Sequence, residues 1–496
     1  MSPGPSTAPN VEESLAGSAA HPERYGFPKE GEYSLSYWLQ GVQGDPLLNH
    51  RTTPELPASA DIVIIGSGMT GTLVAKQATE AWPGKKVVVL EAREFCSGAT
   101  GRNAGHCKPD QWRGFAGYED AFGAEQALKI LQNEQDTWSS LVKYVRENHV
   151  DCDLWVGDTL DVPVTPEVAA TAKKNFNRYK AAGGKVDHIT VTHNPAKARE
   201  KSKIKDAQAC YSWSASTLYP WKLTAHIMRE NLNKGVNLQT RTKVTQVTRS
   251  QSPGKWIVKS DRGDIECSQV VHATNAYSST LEPSLRGIIS PTPHMCDRIQ
   301  PPVTFEGPGL TNSYGVLLPD GGLFSINPRS TAEGSVLFGG SNPGQRAFEK
   351  WVQEVPSRCI DDRLQGFKPV TEAVRTFAES ELVGWKAKFN NHSWSGIIAL
   401  ASLTTRLHEY DLTVFQSADG VPFVGELPGL PGQWICAGHH GHGMARIFTA
   451  APGMVKLMAG GSWTETNLPD VYQITPDRIN RLKHLIENGG KVKSRL

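Results

Sequence analysis

The strongest pattern in the chain is an unbroken apolar run, Ile62 to Ile65 in DIVIIG, without the alternation of a half-exposed strand. Such a run suits a parallel strand buried on both faces. It leads into Gly66-Ser67-Gly68-Met69-Thr70-Gly71, then into helical spacing over residues 70–82 that stops at Pro83-Gly84. A second apolar run, KVVVL, ends on Glu91 and completes a strand-turn-helix-strand unit. Residues 113–214 are more polar and predicted to be mainly helical, as in AEQALKILQNEQDTWSSLVKYVRENH. Alternation returns over 236–275, where VNLQTRTKVTQVT and KWIVKS precede a turn at Asp261-Arg262-Gly263-Asp264 and the apolar QVVHAT; this predicts an antiparallel meander feeding a central strand. YGVLLP, LFSIN and SVLFGG predict a further antiparallel sheet within 291–394. The block WICAGHHGHGMARIFTAAPGMVKLMAGG predicts a strand, a glycine turn and a helix starting at about Met444.

These elements place the chain in the α/β class: a Rossmann-type dinucleotide-binding domain, a parallel sheet with an antiparallel meander, interleaved with an α+β substrate domain on an antiparallel sheet. The expected division is a disordered tail over 1–32, rich in Pro, Ser, Gly and Ala, and a docking arm over 33–59 anchored by YSLSYWL. The dinucleotide domain takes 60–112, 215–290 and 395–462, the substrate domain 113–214 and 291–394, and 463–496 forms an extension.

Composition narrows the chemistry. With 52 basic against 50 acidic residues among 496, and no long basic run, the electrostatic footprint for nucleic acid is missing. No stretch of 18 apolar residues suggests a membrane span, and the first residues, MSPGPSTAPNVEES, have no signal-peptide pattern. Eight scattered cysteines without a Cys-x-x-Cys pair read as free thiols in a reducing compartment, and no metal-ligand spacing appears. Ser494-Arg495-Leu496 is a close variant of a peroxisomal address, so import through the peroxisomal receptor is expected, with the cytoplasm as the alternative.

The glycine motif gains specificity from its context, since it follows a strand, opens a helix and lies 20 residues before Glu91. Gly66 permits the tight turn, Gly68 lets the backbone approach a pyrophosphate, Gly71 lets helix and strand pack, and the amides around Ser67, Met69 and Thr70 face the phosphates. Glu91 is placed to accept from both ribose hydroxyls. FAD and NAD both suit this unit, and the segment after it separates them. Residues 92–110, AREFCSGATGRNAGHCKPD, lack helix or strand periodicity. Their small residues Ala92, Ala99, Thr100, Ala104 and Gly105 let the backbone run along a flat ligand, beside Asn103 and His106, which favours FAD. Arg93 and Arg102 would neutralise phosphate or hold a neighbouring loop. At the far end, Gly438, Gly441 and Gly443 alternate with His439, His440 and His442 before Met444, a turn whose amides would stabilise an anionic flavin. A tight His-rich turn without a nearby carboxylate does not suit a metal.

Together IIGSGMTG, LEARE, SGATGRNAGH, VVHATNAY and ICAGHHGHGM resemble the FAD-dependent oxidoreductases that include D-amino-acid oxidase, glycine oxidase and sarcosine oxidase, nearest the γ-glutamylputrescine-oxidase branch. The resemblance spans roughly residues 33–460. It implies that Val270 to Tyr277, with Ala273, Thr274 and Asn275, pass the adenine and pyrophosphate, that Val244 brackets the adenine, and that the 438–444 turn lies under the flavin pyrimidine. It further implies an FAD-binding domain of Rossmann type and oxidation of a carbon–nitrogen bond in an amine or amino acid, with hydride passing to flavin and the imine then hydrolysing. Reoxidation by oxygen would give hydrogen peroxide; transfer of electrons to another acceptor, or tailoring of a larger metabolite, are the alternatives. Because residues 395–433 contain no cysteine, FAD is expected to be non-covalent, a histidyl link through His106 being the alternative. No catalytic dyad stands out. Candidates near the flavin are His439 and His440; on the substrate lobe they are Arg298, Arg329 and Arg346 for a carboxylate, with Tyr314 and Trp394 as pocket walls.

Overall fold

The structure, a computed structural model, describes residues 25–29, 31, 33–301, 309–385, 392–400 and 419–487. Most of the expected tail and the tripeptide Ser494 to Leu496 lie outside the described residues.

Two sheets carry the molecule. The first runs in the order Phe423–Glu426, Gln433–Ala437, Gly263–His272, Ser59–Ile65, Val87–Leu90, Asn237–Gln239. Its inner pairs are parallel, and Val63, Ile64, Val88, Val89, Val270 and Val271 are buried in it. Full burial of both faces is why these strands read as continuous apolar runs. The meander is present, but VNLQTRTKVTQVT divides into two strands: Asn237–Gln239 joins the parallel sheet and Val244–Arg249 pairs with Trp256–Ser260. Arg241, at φ +51°, makes the break between them. Helices Met69–Ala81, Pro220–Asn233 and Ile447–Met458 pack together over this sheet.

The second sheet runs His392–Leu400, Ser290–Ile299, Val336–Gly339, Leu323–Pro328, Ser313–Leu317, Trp155–Pro163, Cys210–Thr217, His106–Cys107. It is antiparallel except where Ser313–Leu317 runs parallel to Trp155–Pro163. Three of the expected domain boundaries fall inside its strands, the first of them 290/291 at the start of Ser290–Ile299. His392–Leu400 pairs along Ser290–Ile299 and crosses 394/395, and Cys210–Thr217 crosses 214/215. The stretch expected to be mainly helical also supplies three strands: the short Thr190–Thr192, and Trp155–Pro163 and Cys210–Thr217, which are buried along most of their length so that no alternation marks them.

The arm lies between the sheets. Trp38 and Leu39 have no exposed surface, and Trp38 Nε1 donates to the Asn103 carbonyl at 2.6 Å. The expected tail also contributes, because Tyr25 to Pro28 pack on the body and Phe27 and Pro28 line the central cavity.

Candidate active site

One cavity of about 500 Å³ opens between the C-terminal ends of the first sheet's parallel strands and the face of the second sheet. Of the residues expected to hold the cofactor, all but Gly71, Gly105 and Gly438 line it. Those three glycines act one layer back. A Cβ on Gly71 would run into the Gly66 carbonyl, and one on Gly105 would stand 2.7 Å from the Leu218 carbonyl oxygen. Gly438, at φ +75°, donates its N–H to Asn275 Oδ1 at 3.2 Å.

The dinucleotide end is built locally. Gly66 adopts φ +106°, and a Cβ there would stand 2.7 Å from the Ala273 carbonyl oxygen. Gly68 caps Met69–Ala81 without a side-chain hydrogen bond, which leaves first-turn amides for an anion; Met69 N–H alone is taken, by Thr100 Oγ1 at 3.0 Å. Glu91 Oε2 accepts from Ser67 N–H at 3.0 Å and Ser67 Oγ at 2.8 Å, and Oε1 accepts from Arg93 N–H at 3.0 Å. A carboxylate offers about four acceptor positions, so the expected pair of ribose hydrogen bonds reduces to one, on Oε1. The cradle, its uncapped amides and this single acceptor suit FAD.

The two arginines after Glu91 serve the arm instead of phosphate. Arg93 binds both Asp362 carboxylate oxygens, at 3.0 and 2.8 Å. Arg102 donates to the carbonyls of Ser34, Asp362 and Ser395 at 2.6, 2.9 and 2.7 Å. Both guanidiniums lie over the Tyr33 ring. A buried carboxylate needs such partners, and Asp362 uses both.

At the glycine turn, Asn275 Oδ1 accepts from the Gly438 and His439 amides at 3.2 and 3.3 Å. The helix begins at Ile447, not at about Met444: a short 3-10 turn, Gly443–Ala445, comes first, and Arg446 breaks the geometry at φ −133°. Its buried guanidinium donates to Glu134 Oε1 at 3.1 Å, the Gly420 carbonyl at 2.9 Å and the Tyr118 hydroxyl at 2.7 Å. Burial raises the Glu134 carboxyl, but His442 and Arg446 pull it down to about 2. This buried pair fixes the turn from behind. Sequence reasoning missed Glu134, whose position on an amphipathic helix gives no sign of it, and the expectation that no carboxylate lies near the histidine turn is corrected: Glu134 Oε1 stands 3.4 Å from His442 Nδ1.

Burial pushes His439 and His440 down to about 3, as Arg446 also does, and His106 to about 3, with Lys108 adding to the effect. These imidazoles are neutral at pH 7. Neither His106 ring nitrogen has a partner, nor do Nδ1 of His439 and Nδ1 of His440, which gives the cavity wall uncommitted hydrogen-bonding atoms.

On the substrate side only Tyr314 of the five candidates lines the cavity. Arg329, 1% exposed, pairs with Asp153 at 3.0 Å and stacks on Trp38; Arg298 stacks on Tyr37. Trp394 is buried, donating Nε1 to the Arg102 carbonyl at 2.7 Å, and Arg346 pairs with Asp320. Three of these four hold the arm or the loop beneath it. The cations that do face the cavity were not anticipated: Lys108, 2.6 Å from Asp161 Oδ1, and Arg113, 3.4 Å from both Asp161 oxygens. Asp161 is fully buried in Trp155–Pro163, while Lys108 and Arg113 keep 13% and 20% of their side-chain surface. His294, held at about 4 by burial, and Cys296 complete this wall. Glu91 is the one acidic side chain among the described residues lining the cavity.

Comparison with known proteins agrees with this architecture. The chain is similar to the probable oxidoreductase OrdL of Rhizobium meliloti (strain 1021), 22% identical over 399 residues, covering 79% of this chain and 81% of that one. It is 25% identical to the gamma-glutamylputrescine oxidoreductase of Escherichia coli (strain K12) over 231 residues, 46% of this chain and 52% of that one. The fold is shared with glycine oxidase from Geobacillus kaustophilus (TM-score 0.58, 18% identity, 85% of this chain and 99% of that chain). It is shared too with L-amino acid deaminase from Proteus myxofaciens in complex with anthranilate (TM-score 0.63, 15% identity, 91% and 98%). The DAO family model, described as FAD dependent oxidoreductase, matches residues 61–460. With its dinucleotide cradle inside that match and the same fold throughout, the chain belongs to the DAO family of FAD-dependent oxidoreductases.

Proposed function

We propose that the protein oxidises the carbon–nitrogen bond of an amino acid, or of an amine carrying a carboxylate, and that oxygen removes the electrons as hydrogen peroxide. The observation that carries the substrate reading is the Lys108–Arg113 pair on the cavity wall. Burial lowers Lys108, which Asp161 holds, whereas nearby carboxylates, Asp161 foremost, raise Arg113 against the cost of its burial, so the lasting positive charge on this wall is the Arg113 guanidinium, and no acidic side chain among the described lining residues opposes it there. Arg113 is the better donor to a carboxylate. Its contacts with Asp161 are long, whereas Lys108 is held at 2.6 Å, so the guanidinium fork is free to turn to a ligand.

Bound FAD supplies the hydride acceptor. The protein's part is to seat the donor between this cationic wall and the glycine turn, with Tyr314 as one side. Because His106, His439 and His440 are neutral at pH 7, each keeps an acceptor nitrogen as well as an N–H and adds no positive charge where the amine is to sit. Relatives named for glycine, L-amino acids and gamma-glutamylputrescine support a nitrogen-bearing donor.

The test is a panel of amino acids and their decarboxylated amines, followed by flavin bleaching and peroxide release. Bleaching by the carboxylates with stoichiometric peroxide is the expected result. Bleaching without peroxide assigns the electrons to another acceptor, and failure of every nitrogen-bearing donor to bleach the flavin overturns the reading.

A further inference from the structure

The family match begins at Asp61, yet the cavity wall includes Phe27 and Pro28, more than thirty residues earlier. Their position is fixed by the residues before them. Gly26 N–H donates to Thr280 Oγ1 at 2.9 Å, and the same hydroxyl donates back to the Gly26 carbonyl at 2.8 Å. Arg286 lies 4.0 Å over the Tyr25 ring. A Cβ on Gly26 would stand 2.8 Å from Ile360 Cδ1, so the segment also packs closely on the Pro356–Ile360 turn.

The location of Phe27 identifies what it covers. Lys243 Nζ lies 5.9 Å over its ring, and Val244 and Leu281, the chain neighbours of Lys243 and of the Thr280 that holds Gly26, line the same cavity. The chain at Thr242 is hydrogen-bonded to the Glu91 carbonyl at 2.8 Å, so this patch lies just beyond the ribose acceptor. In a dinucleotide seated with its pyrophosphate on the Gly66–Thr70 turn and a ribose on Glu91, the group beyond that ribose is the adenine.

We propose that Tyr25 to Pro28 form a cover over the adenine end of the FAD seat, Phe27 and Pro28 supplying its apolar roof. Retention of FAD then depends on a segment that precedes the family domain, and the flavin half of the cofactor does not touch it. Burial of an aromatic face against a flat base contributes about tenfold or more in affinity.

Flavin is removed from the full-length protein, and dissociation constants are measured for FAD, ADP and FMN by fluorescence and calorimetry. Phe27→Ala is expected to weaken FAD and ADP about tenfold and to leave FMN within twofold. Phe27→Leu, which keeps an apolar roof, retains most of the affinity and serves as the control for folding. Unchanged FAD and ADP binding in Phe27→Ala overturns the proposal, as does an equal loss for FMN, because a disturbed fold affects both halves of the cofactor alike.

Discussion

The two ends of the central cavity are built in opposite ways. The dinucleotide end comes from consecutive residues: within 26 positions, from Gly66 to Glu91, the chain makes the turn, the helix terminus and the ribose acceptor. The substrate end is assembled from Lys108, Arg113, Asp161, His294 and Tyr314, contributed by separate strands and loops of the second sheet. Local construction tolerates little change, because Gly66 and Gly71 of the turn are each backed by another backbone carbonyl. Distributed construction places single side chains on an already rigid sheet, where they can be exchanged without disturbing it.

The largest expected effect follows at the local end. Gly71→Val drives a side chain into the Gly66 carbonyl, so the purified protein is expected to be colourless and less stable. Full flavin content, read from the ratio of visible to ultraviolet absorbance, would contradict the placement of the cradle. At the distributed end, Arg113→Leu leaves Asp161 paired with Lys108 and the sheet intact. The KM for carboxylate-bearing donors is expected to rise about 10- to 100-fold, the loss of a charge-assisted hydrogen bond, with FAD content unchanged. A matching rise for the decarboxylated amines would remove the carboxylate seat. Glu91→Gln returns to the local end. Because Oε1 and Oε2 together accept three hydrogen bonds from Ser67 and Arg93, an amide replaces an acceptor by a donor facing donors. FAD affinity should fall about tenfold with the fold retained, and unchanged retention would leave Glu91 with no part in the seat.

The smallest effect is a pH dependence in the second sheet. Asp297, on Ser290–Ile299, has no exposed surface, and burial pushes its carboxyl from the ordinary 3.8 to about 7. The folded state holds this proton up to about pH 7, whereas the unfolded chain releases it near pH 4, so the group's contribution to stability declines as pH rises between those values and stays lost above them. Asp297→Asn carries no such dependence. Its melting temperature relative to the parent should therefore climb from pH 4 to pH 8, by about 2 °C, in calorimetric scans. A constant difference across that range would show that Asp297 is not protonated in the fold.

This contrast also explains what the sequence disclosed. The strand, glycine turn, helix and acidic strand end are contiguous, and their periods change from buried strand to helix within a few residues, which makes them legible. The substrate wall carries no such signal. Asp161 lies in a strand where Thr159, Leu160, Asp161 and Val162 are all fully buried, so polar and apolar positions no longer report which face is inside. The basic residues of the substrate lobe were misleading for a related reason. Arg298 and Arg329 sit beside the cavity in the chain's order, but each is stacked on an aromatic ring of an arm that joins the body only through tertiary contacts. Lys108 and Arg113, in the loop after Glu91, reach the substrate side because His106–Cys107 pairs with Cys210–Thr217 in the second sheet.

The way the arm is held has a consequence for the order in which the molecule is completed. Ser34 is bonded to the Asp362 carbonyl, 328 residues downstream, and Leu35 to His392, 357 residues downstream. At about 5–20 residues per second of synthesis, roughly 15–65 s separate the emergence of Ser34 from that of Asp362. Tyr33, Tyr37 and Trp38 therefore wait through that interval without part of the surface that finally encloses them. This segment is seated only after residues more than 300 positions downstream have been made, and until then the nascent chain carries its aromatic side chains without their final partners.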